Sequence, residues 1–113
     1  SLMAPAAQRL AEQLRGVELR LPLVPVLQNV DAAAAADLDG LRQRLVSQLY
    51  RPVRWVETVR AVAARGLRQA IECGPGKVLV GLNKRIVQDF ATRPVYDPKT
   101  LDTALESTRH AGG

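Results

Sequence analysis

The segment of this chain that comes nearest to a ligand loop is Gly74-Pro75-Gly76-Lys77, which follows an apolar run and precedes a helical pattern. Glycines let backbone N–H groups approach an anion closely, and a lysine can add a charge to such a cradle. The phosphate-loop pattern, however, places four residues between its glycines and a Ser or Thr after its lysine. Here one residue separates the glycines and Val78 follows Lys77. Two readings stand: a tight turn that needs glycine dihedrals, or a ligand contact. His110, the single histidine, lies in a polar tail with no carboxylate or cysteine at ligand spacing, so it is expected at the surface with no catalytic or metal role. Cys73, the single cysteine, excludes an intramolecular disulfide and a Cys-rich metal site, and is expected to be a small buried residue. Trp55 is expected to anchor packing near a helix start. Tyr50, Trp55, Phe90 and Tyr96 are too scattered for a single-stranded nucleic-acid stacking platform.

The elements that would carry these residues can be read from periodicity. Ala6, Ala7, Leu10, Leu14 and Val17 recur at helical spacing, with Pro5 suited to a first turn and Gly16 to the stop. Leu19 to Asn29 is rich in Val and Leu and reads as a short buried strand limited by Pro22 and Pro25. The alanines Ala32 to Ala36 are flanked by Asp31, Asp37, Asp39 and Gly40, which favour a surface connection over a helix. Leu38, Leu41, Leu45, Val46 and Leu49 mark a second helix that Pro52 ends or bends near Tyr50 and Arg51. Val53, Val56, Val59, Val62 and Ala63 form the stripe of a third helix, which Gly66 stops. Leu67 to Cys73 reads as a strand and Lys77 to Phe90 as a helix. Beyond them lie Pro94, Pro98 and a short helical patch from Thr100 to Arg109. Helices between successive strands imply an α/β arrangement of short parallel strands flanked by helices. Val24 to Gln28 and Leu67 to Glu72 are expected to be its parallel neighbours. Two strands make a poor sheet, so the sheet is expected to be incomplete in this chain.

With 113 residues, 47% hydrophobic and 24% charged, the chain suits one small folded domain. No apolar run approaches the roughly 20 residues of a membrane span. The first residues do not read as a signal peptide, and the lone cysteine fits a reducing compartment, so the cytoplasm is expected. Sixteen basic against eleven acidic residues give a net charge of +5. That excess is either the solvated face of amphipathic helices or the mark of an anionic partner: nucleic acid, a CoA phosphate or an acidic carrier protein.

Four segments in fixed order carry a family resemblance. Ser1-Leu2-Met3-Ala4-Pro5-Ala6 resembles the residues after the catalytic Pro-Ser-His of acyltransferases. Val24-Pro25-Val26-Leu27-Gln28-Asn29-Val30-Asp31 is similar to their next buried strand and loop. Gln48-Leu49-Tyr50-Arg51-Pro52-Val53-Arg54-Trp55 resembles the Gln-Leu-Tyr-x-Pro-Val-x-Trp signature, and Glu72-Cys73-Gly74-Pro75-Gly76-Lys77-Val78-Leu79 the Glu-x-Gly-Pro-Gly-Lys-Val-Leu signature. The spelling is closer to stand-alone bacterial malonyl-CoA:acyl carrier protein transacylases than to polyketide synthase acyltransferase domains. The resemblance implies the C-terminal third of a hydrolase-like acyltransferase, starting just after the catalytic histidine. Residues 1–90 would be acyltransferase domain and residues 91–113 a tail with a short helix.

In that family a serine takes malonyl from CoA as an ester and passes it to the phosphopantetheine thiol of the carrier protein. The implied partners are malonyl-CoA, acyl carrier protein and the remainder of the acyltransferase chain, with no membrane, nucleic acid, metal or resident cofactor; the phosphopantetheine belongs to the carrier. The sequence holds no Gly-x-Ser-x-Gly elbow and no histidine near its N-terminus, so the chain alone is expected to be inactive. Gln48 would use its main-chain carbonyl to accept the N–H of the catalytic histidine, so that Gln48→Ala is expected to retain most activity. Val78 would lie where CoA is held. The alternative is a small basic interaction module that binds an anionic protein or nucleic acid with strong salt dependence.

Overall fold

A computed structural model describes residues 2–111, with side chains as far as Arg109. The chain divides into two compact units, Ser1–Ala61 and Val62–Gly113.

The first unit contains α1 (Ala4–Arg15), β1 (Leu27–Gln28), β2 (Ala33–Ala34), α2 (Leu38–Ser47) and the first turns of α3 (Trp55–Ala64). Pro5 sits in the first turn of α1, where its missing N–H costs nothing, and Ala7 is buried on the same helix. α1 packs against α2. Arg42 of α2 donates from Nε and Nη2 to the carbonyls of Leu14 and Val17, each at 3.3 Å, tying α2 to the end of α1 and the residues just beyond it. Asp37 caps α2 by accepting the Gly40 N–H at 2.6 Å, and Leu41 is buried one turn in.

The second unit contains the end of α3, β3 (Gln69–Cys73), α4 (Val78–Ile86), β4 (Ala91–Val95) and α5 (Pro98–Ala111). β3, α4 and β4 form a strand–helix–strand unit whose two strands are parallel, with Gln69 opposite Ala91 and Cys73 opposite Val95. Both α4 and α5 pack against β4. Asn83 of α4, 3% exposed, donates from Nδ2 to Thr92 Oγ1 at 2.9 Å, while Phe90 and Ala104 are buried in the same unit. Gly66 ends α3 with φ +88°, a left-handed conformation that a Cβ would strain.

The expected α/β class with a parallel pair is present, but the strand partners differ from expectation. Leu27–Gln28 pairs antiparallel with Ala33–Ala34, and the parallel neighbour of β3 is β4, from the stretch read as tail. Pro94 hid β4, because proline inside a run argues against a strand. The Ala91 N–H donates to Arg68 O at 2.9 Å and Gly74 N–H to Val95 O at 3.1 Å. By the two-residue alternation of a ladder, Pro94 therefore falls on the side of β4 turned away from β3, where its missing N–H breaks no bond. The helical patch from Thr100 extends back to Pro98. Within the apolar run, Leu23 and Val24 are 102% and 72% exposed, so it is not the buried strand expected there. The alanine run is also more than a connection. The Ala32 N–H donates to Gln28 O at 2.8 Å, and Ala32 turns the chain at φ 56° so that Ala33 and Ala34 pair with β1.

Candidate functional site

Gln48 is the C-terminal cap of α2, with φ −62° and ψ −21°. The next residues turn sharply: Tyr50 N–H and Arg51 N–H both donate to Ser47 O, at 3.2 and 3.0 Å. Pro52, four residues beyond Gln48, has no N–H to give. The Gln48 carbonyl consequently accepts no hydrogen bond among the described residues, the condition expected of a helix end stopped by proline. Its own N–H donates to Arg44 O at 3.0 Å, which keeps the residue on the helical path.

Three ties hold this helix end and the chain beyond it to the end of β1 and the loop that follows. Gln48 Nε2 donates to Gln28 Oε1, and Gln28 is 7% exposed. One turn earlier on α2, Arg44 Nε meets Asp31 Oδ2 at 2.8 Å, and Asp31 Oδ1 accepts the Ala33 N–H at 3.2 Å. On the far side of Pro52, Arg54 N–H donates to Asn29 O at 2.8 Å. Residues 28–31 thus grip both the exit of α2 and the entry of α3. Beside them, hydrogen bonds with Ser47 and then Arg51 hold the exposed Tyr50 hydroxyl below its usual pKa, and the Arg51 guanidinium lies 5.9 Å from the Tyr50 ring centre.

In the second unit the glycine loop leads into α4. Gly74 has φ +142°, so the turn requires glycine there. Lys77, the N-cap of α4, makes no side-chain cap, and the N–H groups of Leu79 and Val80 are instead taken by the Glu72 carboxylate at 3.3 and 3.0 Å. A carboxylate of the chain itself occupies the place where a phosphate would sit. Lys77 Nζ lies 5.6 Å from the Tyr96 ring centre, a cation–π contact across the turn. Of the two readings of this loop, the geometry favours the tight turn over a phosphate cradle. Val78, the first residue of α4, is 71% exposed.

Gln48 belongs to the first unit and Val78 to the second. Cys73 is exposed, contrary to expectation, because the alternation of β3 puts it on the same exposed face as Gln69 and Ile71. Trp55 is half-buried at the start of α3, as a packing anchor would be. The side chain of His110 lies outside the described residues. No cluster of three or more His, Cys, Asp or Glu able to hold a metal occurs among the described residues. No helix among them is long and apolar enough to cross a membrane. Sequence reasoning missed Gln28 and Glu72, although both lie inside the family motifs. Glu72 precedes its helix by six residues, off the spacing of any local cap, and Gln28 meets Gln48 across twenty residues.

No family model matches the chain. The malonyl CoA-acyl carrier protein transacylase of Escherichia coli K12 is 43% identical over 106 residues, covering 94% of this chain and 34% of the relative. That of Bacillus subtilis is 38% identical over 108 residues, covering 96% and 34%. Among solved structures, the malonyl-CoA:acyl carrier protein transacylase of Xanthomonas oryzae superposes with a TM-score of 0.88 at 44% identity, over 94% of this chain and 34% of that one. A malonyl-transacylase solved in complex with its type II polyketide acyl-carrier protein superposes with a TM-score of 0.89 at 47% identity, over 95% and 35%. The chain spans about a third of the length of each. Identity at this level along nearly the whole chain, together with the matching fold, makes it homologous to a segment of the bacterial malonyl-CoA:acyl carrier protein transacylases.

Proposed function

We propose that this chain is the part of a cytoplasmic malonyl-CoA:acyl carrier protein transacylase of fatty acid biosynthesis that orients the catalytic histidine and contributes to holding CoA. The observation that carries the reading is the Gln48 carbonyl, which has no partner among the described residues and is held at a helix end that three ties immobilise. A carbonyl in that state can accept an imidazole N–H and so fix which ring nitrogen faces the serine, without adding a buried charge. The serine would then take malonyl from malonyl-CoA and yield it to the phosphopantetheine thiol of acyl carrier protein. Exposed Val78 offers an apolar contact to CoA beside the glycine turn. The net charge of +5 suits an acidic carrier protein.

The test is malonyl transfer by a complete transacylase carrying this segment. The protein is expected to move malonyl from malonyl-CoA to acyl carrier protein. One residue inserted after Gln48 is expected to lower kcat at least about a hundredfold, because a displaced carbonyl misaligns the base in the transition state. Absence of transfer by the uninterrupted protein would overturn the assignment. Full activity with the insertion would overturn the role of Gln48.

A further inference from the structure

Gln28 is a nearly buried glutamine on β1 whose Oε1 accepts a hydrogen bond from the Gln48 side chain. The side chain and the carbonyl of Gln48 leave the same Cα, so an anchor on the first limits rotation of the peptide that carries the second. We infer that Gln28 is a positioning residue for the histidine-orienting carbonyl, acting through the Gln48 amide; this rests on the transacylase reading above.

Several features of the site support this role. The grip of residues 28–31 on α2 lies on one helical face, since Arg44 and Gln48 are one turn apart and bond Asp31 and Gln28 respectively. Asn29 O accepts the Arg54 N–H beyond Pro52, so the turn after Gln48 is tied down at its far end to the same segment. Ala32 keeps a left-handed φ of 56°, disfavoured for an L-residue, to close the loop that follows Gln28. The ion pair and the backbone bond set the helix and loop as bodies. Beyond its helical N–H bond to Arg44 O, residue 48 itself is held by the amide pair. A hydrogen bond to imidazole weakens steeply with angle, so small rotations of the Gln48 peptide bear on catalysis before they bear on folding. On this view the Gln48 side chain is not dispensable, against the expectation that Gln48→Ala retains most activity, and the Gln48→Met variant decides between the two.

The experiment uses a complete transacylase carrying this segment. Its variants are Gln28→Met, which keeps length but removes the acceptor, Gln28→Glu, which keeps an acceptor oxygen, Gln48→Met, and the Gln28→Met/Gln48→Met double. Malonyl transfer is followed for kcat, KM for malonyl-CoA and the pH profile of kcat/KM, with thermal melting alongside. Gln28→Met is expected to lower kcat on the order of tenfold, the effect of one lost hydrogen bond, with KM within about twofold. The acidic limb should move to lower pH, because a misplaced carbonyl stabilises the imidazolium less. The double variant should be no slower than the slower single, and Gln28→Glu should recover most of kcat. Unchanged kcat and pH profile in Gln28→Met, or multiplicative losses in the double, would overturn the inference. If Gln28→Met does not fold, Gln28→Asn, which withdraws the acceptor by one methylene, decides by the same kcat and pH readouts. Failure of the unsubstituted protein to transfer malonyl would overturn the underlying assignment instead.

Discussion

At the residue scale, Glu72 shows how one carboxylate can settle the chemistry of a loop. It stands on β3 and reaches across Gly74-Pro75-Gly76 to accept two N–H groups at the start of α4, where the helix dipole favours negative charge. The same contact shapes the turn that presents Val78. Replacing Glu72 by alanine removes both acceptors from a half-buried site and should destabilise the fold by about 1–2 kcal/mol, the usual cost of a lost N-cap. Equilibrium urea denaturation of Glu72→Ala measures this directly. A stability equal to the parent would mean that water serves those N–H groups equally well. Gly-Pro-Gly is legible in the sequence as a turn, but its capping partner is not, since the carboxylate arrives from the preceding strand.

At the element scale, α5 depends on its first turn. Asp97 Oδ1 accepts the Thr100 N–H and the Thr100 hydroxyl, both at 2.7 Å, and Pro98 occupies the first helical position. The backbone N–H of Thr100, then its side chain, hold the Asp97 carboxyl below its usual pKa. A carboxylate whose folded pKa is depressed contributes stability that is present above its unfolded pKa and is lost as pH falls through the folded value. The start of α5 should therefore loosen in acid, below the ordinary aspartate range, and hold above it. Asp97→Asn keeps a capping oxygen without the titration, so its contribution should be less sensitive to pH. Parallel pH titrations of helical circular dichroism compare the two. Identical acid profiles would show that other groups control the transition. The neighbouring strand β4 was not legible in the sequence, because Pro94 and the polar Thr92 and Arg93 carry no strand pattern until a partner ladder is known.

At the scale of the whole molecule, each unit leaves apolar side chains exposed, among them Leu23, Val24 and Val53 in the first and Leu67, Ile71 and Val78 in the second. The 113 residues hold no Gly-x-Ser-x-Gly elbow. By themselves they are expected to acquire no malonyl from malonyl-CoA, because an acyl-enzyme of this type forms on an elbow serine activated by a neighbouring base. Intact-mass measurement after incubation of the pure chain with malonyl-CoA checks this, and stoichiometric addition of one malonyl group would refute it.

The helices, the proline stop after α2, the glycine turn before α4 and the kinship with the transacylases are legible in the order of residues alone. Each is written in local spacing, in the fixed dihedrals of Pro and Gly, or in short runs of consecutive residues. Strand pairing, the exposure of Cys73 and of residues 23–26, and the meetings of Gln28 with Gln48 and of Glu72 with the start of α4 arise only in the folded chain. Those outcomes turn on groups far apart along the chain, whose meeting depends on how turns and helices fold back, and no local periodicity encodes that distance.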